Sequence, residues 1–477
     1  MKLKDILKDI SVKQVKGDLD LEVKDICQKI EKIKKGSLFF CIKGISHDGH
    51  NFYKEAIKKG ATVLIVEKFL DCSATQVLVA NVRNVILKIC NNFFNNIANK
   101  FKFIGVSGTN GKTTTSNIVY QILKNSSKKV GLIGTNGIVF NNFNLSNNLT
   151  TPDTVDLFYI LNKMLKSKIE YVVMEVSAHA LDLNKLLGIK FEVGIFTNLT
   201  QDHLDYFKTM KSYALAKLKF FKKRYCKNIV VNIDDEYGRL FLKLTNTKYY
   251  TYGLNNPSDC FAIDINLKID KTKFVANIFD NIFVFNTGLI CLFNVYNILA
   301  AATCCKILGI QNKFILQTIN QIETINGRMN FFKLKNGAYI VVDYAHTPDG
   351  LQKVLQNLKF LKQKHKKLIC VFGCGGNRDK VKRHIMGEVA FSLSDTLIVT
   401  NDNPRDEDEN KIIEDICKNI NGNILKNPNR KEAIKMAYDE SDNGDIILVA
   451  GKGCELTQEI RGQKIAYSDL KEVKKYI

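Results

Sequence analysis

Seven consecutive residues, Gly108, Thr109, Asn110, Gly111, Lys112, Thr113 and Thr114, have the composition of an anion-binding turn. Glycines let the backbone fold so that successive N–H groups face one point, a lysine adds a full positive charge, and a threonine hydroxyl can ligate magnesium. The spacing G-x-x-x-x-G-K-S/T would need a glycine at position 106, where Val106 stands, and the nearest glycines are Gly105 and Gly108. The order of elements carries the reading instead. Phe103 to Val106 is an apolar run suited to a buried strand, and a helical period resumes from Asn117 to Leu123, so the glycines fall where strand turns into helix. Phosphate binds at such a junction because the helix dipole and its unpaired N–H groups point at the ligand. A glycine turn beside a solvated lysine is the plain alternative, and strand, glycines, Lys-Thr and helix in this order argue against it.

Two further strings hold groups that can handle a metal or a proton. YVVMEVSAHAL puts Glu175 at the end of an apolar run, and VGIFTNLTQDHLDYF puts Asp202 and His203 after another. Ligands of open α/β sheets sit beyond the carboxyl ends of the strands, which is where these residues fall. A carboxylate and an imidazole near a phosphate loop suit Mg²⁺, which prefers oxygen ligands and bridges phosphates. Taken alone, an Asp-His pair reads equally well as a helix cap beside a surface histidine. Lys217, in SYALAKLKFFKK, sits on a helical pattern, and on its own it reads as solvated surface.

The elements that must position these groups form three α/β blocks. Residues 1–98 mix short helical patterns with the strand TVLIVE, and a strand and helix then lead into the loop. From 99 to 322 the runs KVGLIG, YVVMEV, VGIFTNL and NIVVNID alternate with helical segments, which implies a mostly parallel sheet of the phosphate-loop type. A weaker β-rich stretch covers 260–290, and a helix runs from Asn294 to Leu308. Residues 323–477 repeat the alternation with YIVVDYA, LICVFGC, DTLIVT and DIILVAG, the pattern of a second, Rossmann-like doubly wound domain.

Composition excludes several classes. The chain has 477 residues, of which 45% are hydrophobic, enough for several packed cores. The net charge of +22 invites a nucleic-acid reading, but the lysines are spread along the chain among many asparagines instead of gathering in a stripe, so no nucleic acid is expected. Thirteen cysteines without a C-x-x-C pair and an N-terminus without an apolar segment predict reduced thiols and a cytoplasmic location. No apolar run approaches the ~20 residues that span a bilayer, so no membrane partner is expected.

The strings GVSGTNGKTTT, LTTPDT, MEVSAHAL, FTNLTQDHLDYF, AKLKFF, FNVYNILAA, NGRMN, DYAHTPDGL, GCGGNRDKVKR, DNPRDEDEN and AGKGCE occur in the order found in the Mur ligases. The chain resembles that family from about residue 36 onward, and within it the branch that adds 2,6-diaminopimelate. The resemblance implies an ADP-forming acid–amino-acid ligase of peptidoglycan precursor synthesis. Its small-molecule partners would be ATP, UDP-N-acetylmuramoyl-L-alanyl-D-glutamate and meso-diaminopimelate, and it would act as a monomer. The three blocks would then bind the UDP-substrate, ATP and the amino acid in that order. Phosphoryl transfer needs positioning and charge neutralisation, and the resemblance assigns these to Lys112, Glu175, His203 and Lys217. Mg²⁺ would be held by Thr113, Glu175, His203 and a carbamylated Lys217.

By the same resemblance Asn294, Asn297, Arg328, Asp343 and His346 complete the ATP site begun by residues 108–114. Ser46, His47, Thr150, Thr151, Ser177 and Lys185 would hold the UDP-substrate. Arg378, Asn403, Arg405, Gly451 and Glu455 would hold diaminopimelate, with the Arg405 fork suited to the distal carboxylate that lysine lacks. The plain alternative for Arg405 is a helix cap or a surface pair with Asp406 or Glu407. Four positions depart from the family's pattern. Lys29-Ile30-Glu31 replaces Asp-Ser-Arg, Lys185 replaces an arginine, Cys454 a histidine, and Cys291 a glycine. The competing readings are a lysine-adding Mur ligase, a folylpolyglutamate synthase and a catalytically silent ATP-binding scaffold.

Overall fold

The protein is described by a computed structural model covering residues 1–44, 47–146 and 149–477. Its β-branched and aromatic runs assemble into three main sheets. The first has five strands, in the order Val12–Lys16, Thr75–Val79, Ala61–Val66, Ser37–Phe40 and Asp25–Cys27. All neighbours in it are parallel except the first pair.

The central sheet has eleven strands. Its middle runs Lys248–Gly253, Cys226–Asn232, Phe191–Phe196, Lys102–Ser107, Tyr171–Glu175 and Val130–Gly134, parallel throughout. The weak β stretch of the sequence becomes Cys260–Leu267, Thr272–Ile278 and Asn281–Thr287, an antiparallel meander on one flank. A hairpin of Gly137–Phe140 and Phe143–Leu145 forms the other flank. In the parallel middle Glu175 pairs with Val106, and Phe196 pairs with Ser107. Three strands therefore end at one level, and the residues that follow them meet at a single edge.

The helix after the phosphate loop, Lys112–Asn125, buries Ile118, Val119, Ile122 and Leu123 in one cluster with Val173, Ile195 and the helix Leu292–Ile307. Each such side chain contributes about 1.5–3 kcal/mol, so four of them fix the helix axis, and with it the helix N-terminus, against the sheet.

The third sheet runs Asn330–Lys333, Tyr339–Asp343, Ile446–Ala450, Leu368–Phe372, Thr396–Thr400 and Leu425–Asn427, parallel except for its first pair. A separate hairpin, Thr457–Ile460 with Gln463–Ala466, follows it. Arg430 is buried beneath this sheet and makes a bidentate pair with Asp469, at 2.8 Å on each oxygen. It also donates to the carbonyls of Asn401 and Ala450. Those carbonyls close the strands that run into DNPR and AGKGCE, so one guanidinium sets the spacing of both motifs. Among the described residues no helix is long and apolar enough to cross a membrane.

One packing detail links the central sheet to Lys217. A Cβ on Gly105 would lie 2.4 Å from the Phe220 ring and 2.9 Å from Phe191, and a Cβ on Gly194 would lie 3.1 Å from Phe220. These two glycines make the slot for Phe220, three residues beyond Lys217 on the turn that ends the helix Met210–Leu218. Gly105→Ala should overpack that slot and destabilise the protein by about 1–3 kcal/mol. Urea denaturation checks this; an unchanged midpoint would show that Phe220 moves freely.

Candidate active site

The loop helix begins at Lys112 with Gly111 as its N-cap, at φ +84° and with no side chain capping it, so its first N–H groups remain available to an anion. Both glycines are required by close approach. A Cβ on Gly108 would sit 1.9 Å from Thr197 Oγ1, and one on Gly111 would sit 2.5 Å from Asn297 Oδ1. Val106 lies one turn earlier, buried in the strand beside Glu175, where no glycine is needed. The segment after Phe196 braces the loop from the side. Asn110 N donates to Asn198 Oδ1 at 2.9 Å, Thr197 Oγ1 donates to Asn110 O at 2.6 Å, and Thr200 N donates to Thr109 Oγ1 at 3.0 Å.

Two amines meet on this loop. Lys112 Nζ donates to the carbonyls of Gly108 (3.0 Å) and Thr109 (2.7 Å), and Lys217 Nζ donates to the same Gly108 oxygen at 2.7 Å. Lys217 is 1% exposed and lies over the Tyr213 ring. Burial, seconded by the charge of Lys112 and opposed by Asp202, drives its pKa far below the ordinary lysine value. Burial also lowers Lys112, against the pull of Glu175 and Asp202.

Glu175 is buried with three donors. Oε2 accepts from Thr113 Oγ1 (3.1 Å) and Thr135 Oγ1 (3.0 Å), and Oε1 accepts from Thr135 N (2.9 Å). Arg328 Nη2 donates to Thr113 Oγ1 at 2.8 Å while its guanidinium lies over Tyr344, and its Nε is buried with no partner among the described residues. His203 has φ +56°, and its Nε2 is 3.2 Å from Asp202 Oδ2. Partial burial, reinforced by His179, Lys217 and Lys112 and opposed by Asp202, holds His203 well below the usual imidazole range, in the neutral form that ligates metals. Burial alone would raise Asp202, but His203, His346 and Lys382 outweigh it and keep that carboxyl low. Among the described residues no group of three or more His, Cys, Asp or Glu forms a metal nest. Thr113 and Glu175 are the contacting pair of the expected metal set.

The remaining residues expected around ATP meet this loop indirectly. Thr114 is buried in the first turn. Thr115 Oγ1 donates to Asn297 Oδ1, Asn297 Nδ2 donates to Asn294 Oδ1, and Asn294 Nδ2 donates to Ile290 O, a relay that lashes helix Leu292–Ile307 to the loop helix. Asp343 accepts from Met329 N and Ala345 N, which secures the segment carrying Arg328. Burial raises its pKa despite Arg328. His346 hydrogen-bonds through Nδ1 to Tyr344 O and packs on the Tyr344 ring, and burial, ahead of Lys382, lowers its pKa to about 4.

Of the residues expected to hold the UDP-substrate, Thr151 Oγ1 donates to Glu175 O at 2.9 Å and lies 3.2 Å from Ser177 Oγ, and Thr150 Oγ1 is 3.2 Å from Thr135 Oγ1. Lys185 pairs with Asp153 at 2.7 Å, and Lys29 pairs with Asp153 and Asp156 at 3.2 and 2.9 Å. Lys29 thus reaches from the first block to the helix Thr154–Lys166. His47 is exposed beside Phe52, and Ser46 lies outside the described residues.

On the third sheet, Asn403 Nδ2 donates to Glu455 Oε2 at 2.9 Å, and Lys452, 0% exposed, donates to Asn403 Oδ1 (3.0 Å) and Glu455 Oε2 (2.7 Å). Gly451, at φ +113°, leaves room for Asp402 Oδ2, 2.7 Å from where its Cβ would stand. Arg405 has φ +53°, donates to Gly376 O at 2.7 Å and pairs through Nε with Glu459 at 3.3 Å, so its partner is neither Asp406 nor Glu407. Glu407 is held by Arg383 instead. Exposed Arg378 and half-buried Arg405 flank Gly375. Lys452, Glu459, Tyr344, Thr135 and Asp153 were not singled out from the sequence. Lys452 and Tyr344 lie inside quoted motifs, where only their burial and partners distinguish them from ordinary surface residues.

Comparison with known proteins finds relatives along nearly the whole chain. Residues 30–102 match the Mur ligase family, catalytic domain; 106–305 match the Mur ligase middle domain; and 327–453 match the Mur ligase, glutamate ligase domain. UDP-N-acetylmuramoyl-L-alanyl-D-glutamate--2,6-diaminopimelate ligase 1 of Clostridium acetobutylicum is 39% identical over 99% of this chain and 98% of its own length. The ligase of the same name in Clostridioides difficile is 39% identical over the same shares. A solved structure of a UDP-N-acetylmuramoyl-L-alanyl-D-glutamate--2,6-diaminopimelate ligase superposes with a TM-score of 0.71 at 28% identity, covering 100% of this chain and 98% of that one. The MurF ligase from Thermotoga maritima in complex with ADP shares the fold at 23% identity, with a TM-score of 0.64 over 90% of this chain and 94% of its own. The chain belongs to the Mur ligase family.

Proposed function

We propose that this protein joins meso-2,6-diaminopimelate to UDP-N-acetylmuramoyl-L-alanyl-D-glutamate with hydrolysis of ATP to ADP and phosphate. The observation that carries the ligase chemistry is the convergence of Lys112, Lys217 and Arg328 on an uncapped helix N-terminus beside buried Glu175. In the first step a side-chain carboxylate oxygen of the D-glutamate attacks the γ-phosphorus of ATP. The bond to the β-bridging oxygen breaks, and ADP leaves. In the second step a diaminopimelate amine attacks the acyl carbon, loses a proton, and expels inorganic phosphate. Lys112 and the loop N–H groups hold the β- and γ-phosphates, and the unpartnered Arg328 Nε suits a phosphate oxygen.

Thr113, Glu175 and His203, joined by Lys217 as a carbamate, would hold Mg²⁺, which when bound neutralises charge on the phosphate oxygens. Buried Thr113 and Glu175 supply oxygen donors of the kind that ion prefers, with half-exposed His203 beside Asp202. A neutral amine is the form that adds to carbon dioxide: a nitrogen–carbon bond forms, one proton leaves, and an anion results. Lys217, with its depressed pKa, is held in that form. Thr150, Thr151, Ser177 and Lys185 would receive the UDP-substrate near Glu175. Asn403, Arg405, Gly451 and Glu455 would receive the amino acid, with exposed Arg378 beside them. Full-length likeness to named diaminopimelate ligases supports that choice of amine.

Lys112→Ala should keep the fold and lower turnover by ~10²–10³, the usual effect of removing such an electrostatic clamp. Activity within about tenfold of wild type would remove Lys112 from the assignment. Lys217→Ala should also be inactive and unresponsive to bicarbonate, whereas a small added carboxylate should restore part of the rate; a fully active variant would end the carbamate reading.

Arg405 decides the amine. Its guanidinium can make paired, charge-assisted hydrogen bonds to the distal carboxylate of diaminopimelate. Losing such a pair in a desolvated pocket costs about 2–5 kcal/mol. Wild type should therefore prefer diaminopimelate over lysine by orders of magnitude in kcat/KM. Arg405→Ala should collapse that ratio, and Arg405→Lys should recover only part of it. Incubation with UDP-MurNAc-L-Ala-D-Glu, ATP, Mg²⁺ and each amine, with the product identified by mass, measures this. An unchanged ratio in Arg405→Ala would locate selection elsewhere.

A further inference from the structure

The phosphate loop is also held by a carboxylate from the third sheet's unit. Asp349, the second residue of helix Pro348–Leu361, accepts at one oxygen, Oδ2, from both Asn110 Nδ2 (2.8 Å) and Thr200 Oγ1 (3.1 Å). Its other oxygen, Oδ1, faces Lys353 Nζ at 3.0 Å. About two turns further on, Asn357 Oδ1 accepts from Leu292 N, the first residue of the helix that carries Asn297. One helix therefore grips the central unit at the loop and at the helix lashed to the loop.

Asn110 is the loop residue most dependent on this grip. Its backbone N–H and C=O are already fixed by Asn198 and Thr197, which leaves the side chain as the remaining degree of freedom, and Asp349 takes it. We propose that Asp349 is a positioning residue for the nucleotide: through Asn110 and Thr200 it keeps the loop N–H groups facing the anion, and it does so only while the amine-binding unit is docked. The inference rests on the ATP-site reading of the loop. A plainer role would be a first-turn carboxylate that stabilises its own helix through the dipole and the i,i+4 pair with Lys353.

The geometry separates the two roles. Both loop donors converge on a single oxygen, which an asparagine carbonyl can replace, whereas the Lys353 pair needs the carboxylate charge. Binding of a non-hydrolysable ATP analogue with Mg²⁺ to the full-length protein, followed calorimetrically, is the test. Asp349→Ala should weaken binding about tenfold, the scale of one charge-assisted hydrogen bond. Asp349→Asn and Lys353→Ala should stay within about threefold of wild type. In an Asn110→Ala background, Asp349→Ala should add much less than its effect alone, because the two side chains act as a pair. An Asp349→Ala affinity equal to wild type, or an Asp349→Asn variant as weak as Ala, would overturn the proposal. Should Asp349→Ala fail to fold, Asn110→Ala, which removes the donor on the loop and leaves the Asp349–Lys353 pair intact, decides: binding about tenfold weaker supports the proposal, and binding within about threefold of wild type overturns it. Failure of the wild type to bind the analogue would instead remove the ATP-site reading itself.

Discussion

Two lysine amines share one carbonyl oxygen, and much of the rest of the site is arranged around that contact. Lys112 and Lys217 both reach Gly108 O, in a place where Lys217 has almost no solvent. Two unit charges that close in a poorly solvated setting repel by several kcal/mol at an effective dielectric near 20. Burial and the neighbouring cation both push the Lys217 pKa far down, which eases the conflict. The contact exists only because Gly108 has no Cβ to strike Thr197 and because Gly105 and Gly194 admit Phe220 behind Lys217. What results is a loop whose own carbonyls and two amines are locked together at the start of the helix.

The loop is linked to the third sheet's unit through side chains. Thr113 bonds Arg328, Arg328 lies on Tyr344, the Tyr344 hydroxyl is 3.4 Å from Glu455, and Glu455 is held by Asn403 and buried Lys452. The Thr113–Arg328 bond crosses from the central unit to the third, and the remaining links run within the third unit, so one crossing contact ties Glu455 to the loop helix.

Sequence alone made the parallel middle of the sheet and the phosphate loop legible, since both follow from local pattern: apolar runs of five or six residues, glycines at the strand–helix junction, and a helical period after them. What escaped depends on contacts between distant segments. Lys452 reads as any surface lysine until the Asn401 and Ala450 carbonyls are drawn together by Arg430 and the chain after them is buried. The Glu459 partner of Arg405 lies on a hairpin whose strands, Thr457–Ile460 and Gln463–Ala466, are mostly exposed and carry little apolar alternation. The flanking hairpin at 137–145 was equally silent, being short and rich in asparagine.

The four departures from the family pattern follow a physical division. Cys291 stands at φ +80° and ψ 147°, a region open to glycine and strained for any side chain, yet its thiol is fully buried, so packing offsets part of the backbone cost. Cys454 bonds Asn136 through Sγ, which keeps a link between the second and third units at a position where a histidine would have been larger. Lys29 reverses the charge expected there, and Asp153 and Asp156 receive it, with Lys185 completing the pair on Asp153. At Lys29, Lys185 and Cys454 the substituted side chain meets a neighbour on another element, whereas Cys291 is accommodated by packing alone. None lies on the Gly108 carbonyl, the Glu175 carboxylate or the Arg328 fork, where close approach and burial leave no second arrangement.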